Sequence, residues 1–218
     1  MRRRCLLFIG PSLRCCDFVR IDQAEVEIRQ PIRRGDIPRA IEEGDVGTIA
    51  IIDGDFFQHL AVSPKEILAA LRVGITVLGG GSMGAMRAAE LDTYGMHGIG
   101  VIYEWYRNRF LSRDDDVAIA YSRDTDTSYQ LHSLPMVNVI WATLEAKCQG
   151  WLSPQGSRRL LRAARRIHWS QRTWASVLRN SVLKNEEREA LLSYVKDPNH
   201  DLKRLDALAM IEHLKRIS

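Results

Sequence analysis

Gly74-Ile75-Thr76-Val77-Leu78-Gly79-Gly80-Gly81-Ser82-Met83-Gly84-Ala85-Met86-Arg87-Ala88-Ala89-Glu90-Leu91 is the stretch that decides the fold. Ile75 to Leu78 is an apolar, β-rich run, short enough for a buried strand. Three glycines and Ser82 follow, and Met83 to Leu91 has strong helix-forming composition. Strand, glycine turn and helix in that order make half of a parallel α/β unit. The turn then lies outside the carboxyl end of a strand, where such sheets bind their ligands. The helix start aims free N–H groups and the positive end of its dipole at that crevice. Gly80-Gly81-Ser82-Met83-Gly84 also fits G-x-S-x-G, and Arg87 and Glu90, three apart, are neighbours on the helix surface.

Working outward, Cys5–Ile9 reads as a buried strand ending in the Gly10-Pro11-Ser12 turn. Ala24–Ile28 alternates like a strand nearer an edge, and Ile37–Glu43 reads as a short helix with Asp36 as N-cap. Val46–Ile52 is a further strand ending on Asp53-Gly54-Asp55, which puts Asp53 at a carboxyl end. Ser63, Pro64 and Glu66 form a capping box that opens a helix over Lys65–Arg72. Ile99–Ile102 is expected to be a fifth strand and Tyr103–Phe110 a helix. Asp114-Asp115-Asp116 is expected to be a solvated acidic turn. From Tyr129 the pattern is helical only: Pro135–Gln149, Ser153 to about Ile167, a helix capped by Ser170 and reaching Val182, one opened by Asn185, and Leu202–Ile217. The expected fold is α/β, a mostly parallel Rossmann- or flavodoxin-like sheet with helices on both faces, followed by an all-helical C-terminal region. The expected division is residues 1–128 and 129–218.

With 218 residues, 45% hydrophobic and 27% charged, the composition is that of a soluble globular chain. The longest apolar runs are far short of a membrane span. The apolar stretch after Arg2-Arg3-Arg4 is too short for a signal peptide, so a cytoplasmic location is expected. Cys5, Cys15, Cys16 and Cys148 have no paired metal-ligand spacing and suggest no disulfide framework. Neither a metal nor another cofactor is expected. The net charge of +4 is uneven: residues 151–218 carry 14 Lys and Arg against 7 Asp and Glu. That excess fits either an acidic partner or a solvated helix face. Trp151, Trp169 and Trp174 lie among arginines, yet packing between helices accounts for them more simply than nucleic acid, which is not an expected partner. The sequence sets no oligomeric state.

Four roles compete for the glycine turn. Ser82 on a strand-to-helix elbow is placed like a nucleophile, with backbone N–H groups as an oxyanion hole. Such a serine needs a base, and His59 and His97 lie in loops that could reach the crevice. Alternatively, Gly79–Gly81, the helix start and Arg87 hold a carboxylate, thiocarboxylate or phosphate. No G-x-x-x-x-G-K-[ST] is present, and G-x-G-x-x-G appears only as Gly79-Gly80-Gly81-Ser82-Met83-Gly84, so a nucleotide site is weakly supported. A purely structural role has the glycines admit close helix–strand packing, Ser82 cap the helix, and Arg87–Glu90 form an ion pair. In the last role the whole chain is a non-catalytic adaptor.

The chain resembles the TfuA-like family through Phe8-Ile9-Gly10-Pro11-Ser12, Pro31-Ile32-Arg33-Arg34-Gly35-Asp36-Ile37, Ile51-Ile52-Asp53-Gly54-Asp55-Phe56 and Lys65-Glu66-Ile67-Leu68. Ser82-Met83-Gly84-Ala85-Met86-Arg87-Ala88-Ala89-Glu90-Leu91, Gly95-Met96-His97-Gly98-Ile99-Gly100 and Asp114-Asp115-Asp116-Val117-Ala118 continue the likeness, which spans roughly residues 5–145. The resemblance implies work alongside a YcaO-type enzyme, which uses ATP to activate a peptide amide oxygen, so that a backbone thioamide forms. It implies either release of sulfide from the C-terminal thiocarboxylate of a ThiS-like sulfur carrier, or binding and activation of the YcaO-type protein. The candidate catalytic residues are Ser82, Asp53 and His97. The candidates for holding substrate or anion are Gly79, Gly80, Gly81, Gly84, Arg87 and Glu90, with Arg34, Asp36 and Lys65.

Overall fold

A computed structural model describes residues 3–56 and 60–217. Strands β1 (Arg4–Phe8), β2 (Val26–Arg29), β3 (Val46–Ile51), β4 (Thr76–Gly80) and β5 (His97–Ile99) form one parallel sheet in the order β2-β1-β3-β4-β5. Parallel strands need crossover connections. Helices α1 (Asp36–Glu43), α2 (Pro64–Arg72), α3 (Met83–Leu91) and α4 (Val101–Arg107) supply the later ones or follow the last strand. The order is that of the flavodoxin-like doubly wound sheets, whose direction of winding reverses between β1 and β3. That reversal opens a crevice at the carboxyl edge, between the ends of those two strands.

The central strands are apolar almost throughout because both faces are covered. Cys5, Leu7, Ala50 and Ile52 bury themselves on one side with Phe18, Met210 and Ile211. By strand alternation Leu6, Phe8, Ile49 and Ile51 face the opposite side, and all four are buried. There α1 and α3 pack against β3, and α2 and α3 against β4.

Beyond α4, β6 (Tyr121–Arg123) and β7 (Tyr129–Leu131) make a two-stranded sheet. Helices α5 (Met136–Cys148), α6 (Pro154–Arg166), α7 (Trp174–Ser181), α8 (Asn185–Lys196) and α9 (Leu202–Ile217) follow, so the C-terminal region is helical. The chain forms two compact units. One comprises Met1–Ser112, Arg123–Tyr129 and Arg204–Ser218; the other comprises Arg113–Ser122 and Gln130–Lys203. Most of α9 therefore belongs with the sheet, where Ala207, Met210, Ile211 and Leu214 enter the core. Its anchor is an ion pair: Arg204 donates from Nε and Nη2 to Asp17, at 2.7 and 2.6 Å, with both side chains largely buried. Arg204 holds the Asp17 carboxyl below its ordinary range.

In the helical unit, Arg172 is fully buried and donates to the backbone carbonyls of Ala164, Ile167 and Leu134. Asp116 is buried there as well and accepts from Arg165. The acidic turn is therefore not wholly solvated. Asp115 pairs with Arg113, and Asp116 is drawn inward by the guanidinium that α6 offers it.

Several boundaries differ from expectation, each for a physical reason. Ile99–Ile102 was expected as strand, yet β5 ends at Ile99 and α4 begins at Val101. Gly100 has φ +98, a turn open to glycine, and Asp206 of α9 accepts from the N–H groups of Val101 and Ile102 at 2.9 and 2.8 Å. That carboxylate is a helix cap supplied from a remote part of the sequence. Thr173, rather than Ser170, caps α7, because Ser170 lies in a 3₁₀ turn with His168. Asp36 begins α1 instead of preceding it, and its carboxylate accepts from Arg33 N–H. The Ser63–Glu66 capping box is present.

Burial pushes the Asp206 carboxyl up to about 6. A folded-state value above the unfolded one, near 4, means the native protein holds this proton more tightly. The associated stability is fully present below the unfolded value and lost as pH rises through about 6. Thermal melts across this window are expected to show falling stability, and Asp206→Asn is expected to flatten that part of the profile. An unchanged slope in Asp206→Asn would assign the dependence to another group.

Candidate functional site

The carboxyl ends of β1 and β3 meet around Asp53, which is 2% exposed. Its Oδ2 accepts from the N–H groups of Gly10 and Ser12, at 2.9 and 3.0 Å, and its Oδ1 from Ser12 Oγ at 2.7 Å. The Gly10-Pro11-Ser12 turn after β1 is thus clamped to the end of β3 by a single carboxylate. Backbone bonds reinforce this edge: Ile32 N–H donates to Asp53 O, and Asp55 N–H to Ile32 O. Asp55 in turn pairs with Arg33 at 2.7 Å. Tyr129 stands beside the same turn, its hydroxyl donating to Gln30 Oε1 at 2.9 Å. Burial, together with the Asp53 charge, pushes that phenol up to about 12, so it stays a donor at neutral pH.

The glycine turn lies on the adjoining strand. β4 runs through Gly79 and Gly80, which continue the ladder opposite Ile51, Gly98 and Ile99, so the turn proper is Gly81 and Ser82. Gly81 has φ +69, a conformation that suits glycine. Ser82 begins α3 but its side chain makes no capping hydrogen bond, which removes the cap role considered for it. Gly84 N–H donates to Ile52 O at 3.1 Å, tying the first turn of α3 to the strand end that carries Asp53. A Cβ on Gly84 would overlap the Ile51 carbonyl oxygen, and one on Gly79 the Gly84 carbonyl oxygen. Glycine at these two positions is therefore required for helix–strand contact.

The remaining candidates lie on the helices and loops that flank the sheet and on β5. Arg87 donates from Nε to Val62 O at 3.0 Å and from Nη1 to both Glu90 oxygens, at 2.9 and 2.7 Å. Lys65 is exposed on the first turn of α2, and Arg34 is exposed with its N–H bound to Leu60 O. Asp36 pairs with Arg39, and Gly35 N–H is held by Glu66 Oε1 at 2.6 Å, so the starts of α1 and α2 are joined. His97 is exposed at the amino end of β5, and among the described residues no hydrogen bond links it to Ser82. His59 lies outside the described residues. Ser12 is the site residue that sequence reasoning missed. Its signal is its position in the turn after β1, which gains meaning only once β1 is known to adjoin β3.

The sequence model of the TfuA-like proteins matches residues 53–173, from the carboxylate at the crevice through the helical unit to the cap of α7. The chain belongs to the TfuA-like family. The match covers more than half of the chain, and it extends to residue 173, past the end near residue 145 of the likeness read from individual motifs. No curated protein matches the chain. In this TfuA-like protein a clamped carboxylate and hydroxyl, Asp53 and Ser12, stand at the ends of β3 and β1, and an uncapped hydroxyl, Ser82, stands at the helix start after the neighbouring β4. Of these groups, only the helix start favours an anion, through its N–H groups and dipole. The Cys5 thiol, which burial pushes up to about 11, stays protonated at neutral pH and is a poor sulfur acceptor. Among the described residues no group of three His, Cys, Asp or Glu side chains could hold a metal ion, and no helix is long and apolar enough to cross a membrane.

Proposed function

We propose that this TfuA-like protein is an accessory to peptide backbone thioamidation, releasing sulfide from the thiocarboxylated C-terminus of a ThiS-like carrier for use by a YcaO-type enzyme. The observation that carries the proposal is the meeting of Asp53, Ser12 and the Ser82 elbow at one carboxyl edge in a chain of this family. The extended glycine tail of a carrier is narrow enough to approach a strand-edge turn. The α3 start, with its dipole, attracts the thiocarboxylate charge. Ser82 Oγ or a water attacks the thiocarboxylate carbon, and the C–S bond breaks. Over the full hydrolysis, thiocarboxylate and water become carboxylate, hydrosulfide and one proton, which Asp53 or His97 accepts. Ser12, hydrogen bonded to Asp53, passes that proton if the acceptor is Asp53. Work beside an ATP-using enzyme fits a cytoplasmic location.

A second role is favoured by a specific observation. Ser82 is 1% exposed, and Arg87 is engaged by Val62 and Glu90. A turn so enclosed suits an adaptor that activates the YcaO-type enzyme without chemistry of its own.

Sulfide release by purified variants separates the two. Ser82→Ala is expected to lower release at least tenfold if its hydroxyl attacks, in line with the loss of one catalytic group. Ser12→Ala is expected to have a smaller effect. Wild-type rates in both variants would remove these hydroxyls from the chemistry. For the adaptor, stimulation of the YcaO-type enzyme supplied with free sulfide would be the same with wild type and Ser82→Ala.

A further inference from the structure

Within the helical unit, α6 and the end of α7 enclose a concavity of about 480 Å³. Arg159, Arg162 and Arg166 line it, with Ala163, Ile167 and Val182 as its apolar part, and no carboxylate lines it. Residues Pro154–Arg166 hold five arginines and no acidic residue. Like charges three and four apart on a helix repel one another, so this spacing costs stability in the absence of counter-charges. Arg165 has one in Asp116, and Arg159 donates to Val182 O at 3.1 Å. Among the described residues neither Arg162 nor Arg166 has an ion-pair partner, and both are exposed. Arg166 lies in the last turn, where the helix dipole favours a cation; Arg162 lies too far inside the helix for that benefit.

Val182 supplies an independent observation. It ends α7 with φ +48 and ψ +55, a left-handed conformation that a β-branched residue rarely adopts. The residue is nonetheless 69% exposed, an apolar group held at the rim of a basic pocket by a strained backbone. Strain of this kind persists where surrounding structure enforces it, and it concentrates at binding positions.

We infer that this pocket is a docking site for an acidic protein segment in which carboxylates flank an aliphatic side chain. The two unpaired guanidinium groups present planar donor forks that match carboxylates, and Val182 with Ile167 and Ala163 takes the aliphatic group. A single-stranded nucleic acid fits less well, because such sites stack bases on aromatic side chains and no aromatic lines this pocket. The inference stands on the pocket alone and is independent of any chemistry at Ser82.

The probe is a fluorescein-labelled peptide of repeating Glu-Glu-Leu, titrated with the full-length protein and followed by anisotropy. Wild type is expected to bind, more weakly as salt rises. Arg162→Gln combined with Arg166→Gln is expected to weaken binding about tenfold, whereas Arg158→Gln, on the same helix but outside the pocket, is expected to leave it unchanged. Val182→Gly relieves the backbone strain, so it is expected to raise the melting temperature while weakening peptide binding. Absence of binding, equal losses in the pocket and control variants, or tighter binding of oligothymidylate than of the peptide would each overturn the proposal. Circular dichroism of every variant keeps a folding defect from being read as lost binding.

Discussion

Arg204→Ala is expected to lower the unfolding free energy by about 3–5 kcal/mol, the range found when one partner of a buried ion pair is removed. Asp17, 1% exposed in the intact protein, would lose the bidentate donor that satisfies it. Its other described donor, the N–H of Arg14, cannot balance a full charge. The loss would also release the helix that covers one face of the sheet, because Ala207, Met210, Ile211 and Leu214 follow directly on α9. A total stability of ordinary size, about 5–15 kcal/mol, leaves little after such a change. Urea denaturation measures it. Replacing both partners, Asp17→Leu with Arg204→Met, is expected to recover much of the loss, since an apolar pair leaves no unpaired charge. A loss below about 1 kcal/mol in Arg204→Ala would place this pair among exposed ones and contradict the anchoring role of α9.

Gly84→Ala is expected to affect stability and chemistry together. The added methyl group would overlap the Ile51 carbonyl oxygen, which is backbone and cannot rotate away. Overpacking of this kind costs about 1–3 kcal/mol. Relief requires α3 to move off β3, breaking the Gly84–Ile52 hydrogen bond and shifting Ser82 relative to Asp53. A displacement of about an ångström at reacting groups can cost on the order of a hundredfold in rate. Sulfide release is therefore expected to fall far more than the melting temperature suggests. Ala85→Gly, one position along the same helix, is the comparison: it costs helix propensity and a buried methyl group but adds nothing against the strand. Equal activity in both variants would show that the packing of α3 on β3 does not position the site.

The parts of this architecture that follow from local chemistry were legible in the sequence. Met83–Leu91 is helical over its full expected length, because composition and the preceding glycine turn agree. Val46–Ile51 is a strand whose apolar run and abrupt Asp53-Gly54-Asp55 ending mark both its burial and the edge it reaches. Contacts made across long separations were not legible. Val101 and Ile102 have strand-forming side chains, yet Asp206, more than a hundred positions away, starts a helix there. The amphipathic pattern of Leu202–Ile217 announces a buried face without saying which surface it covers. Gly79 and Gly80 resemble a turn in isolation, and only their neighbours on both sides keep them in the ladder. At the site, Asp53 and Ser82 stand out by their places at strand ends. The Ser12–Asp53 bond depends on β1 adjoining β3, which is a matter of strand order. The basic surplus of the last third was likewise visible as charge, but its concentration on one side of α6, facing Val182, depends on how α6 meets α7.

Sulfide release from a thiocarboxylated ThiS-like carrier by the purified wild-type protein, with no YcaO-type enzyme present, tests the central claim most directly. Catalytic turnover is expected, with hydrosulfide and the carrier carboxylate formed in equal amounts. A carrier that keeps its thiocarboxylate, under conditions where the protein still stimulates the YcaO-type enzyme supplied with free sulfide, would contradict it and establish the adaptor role.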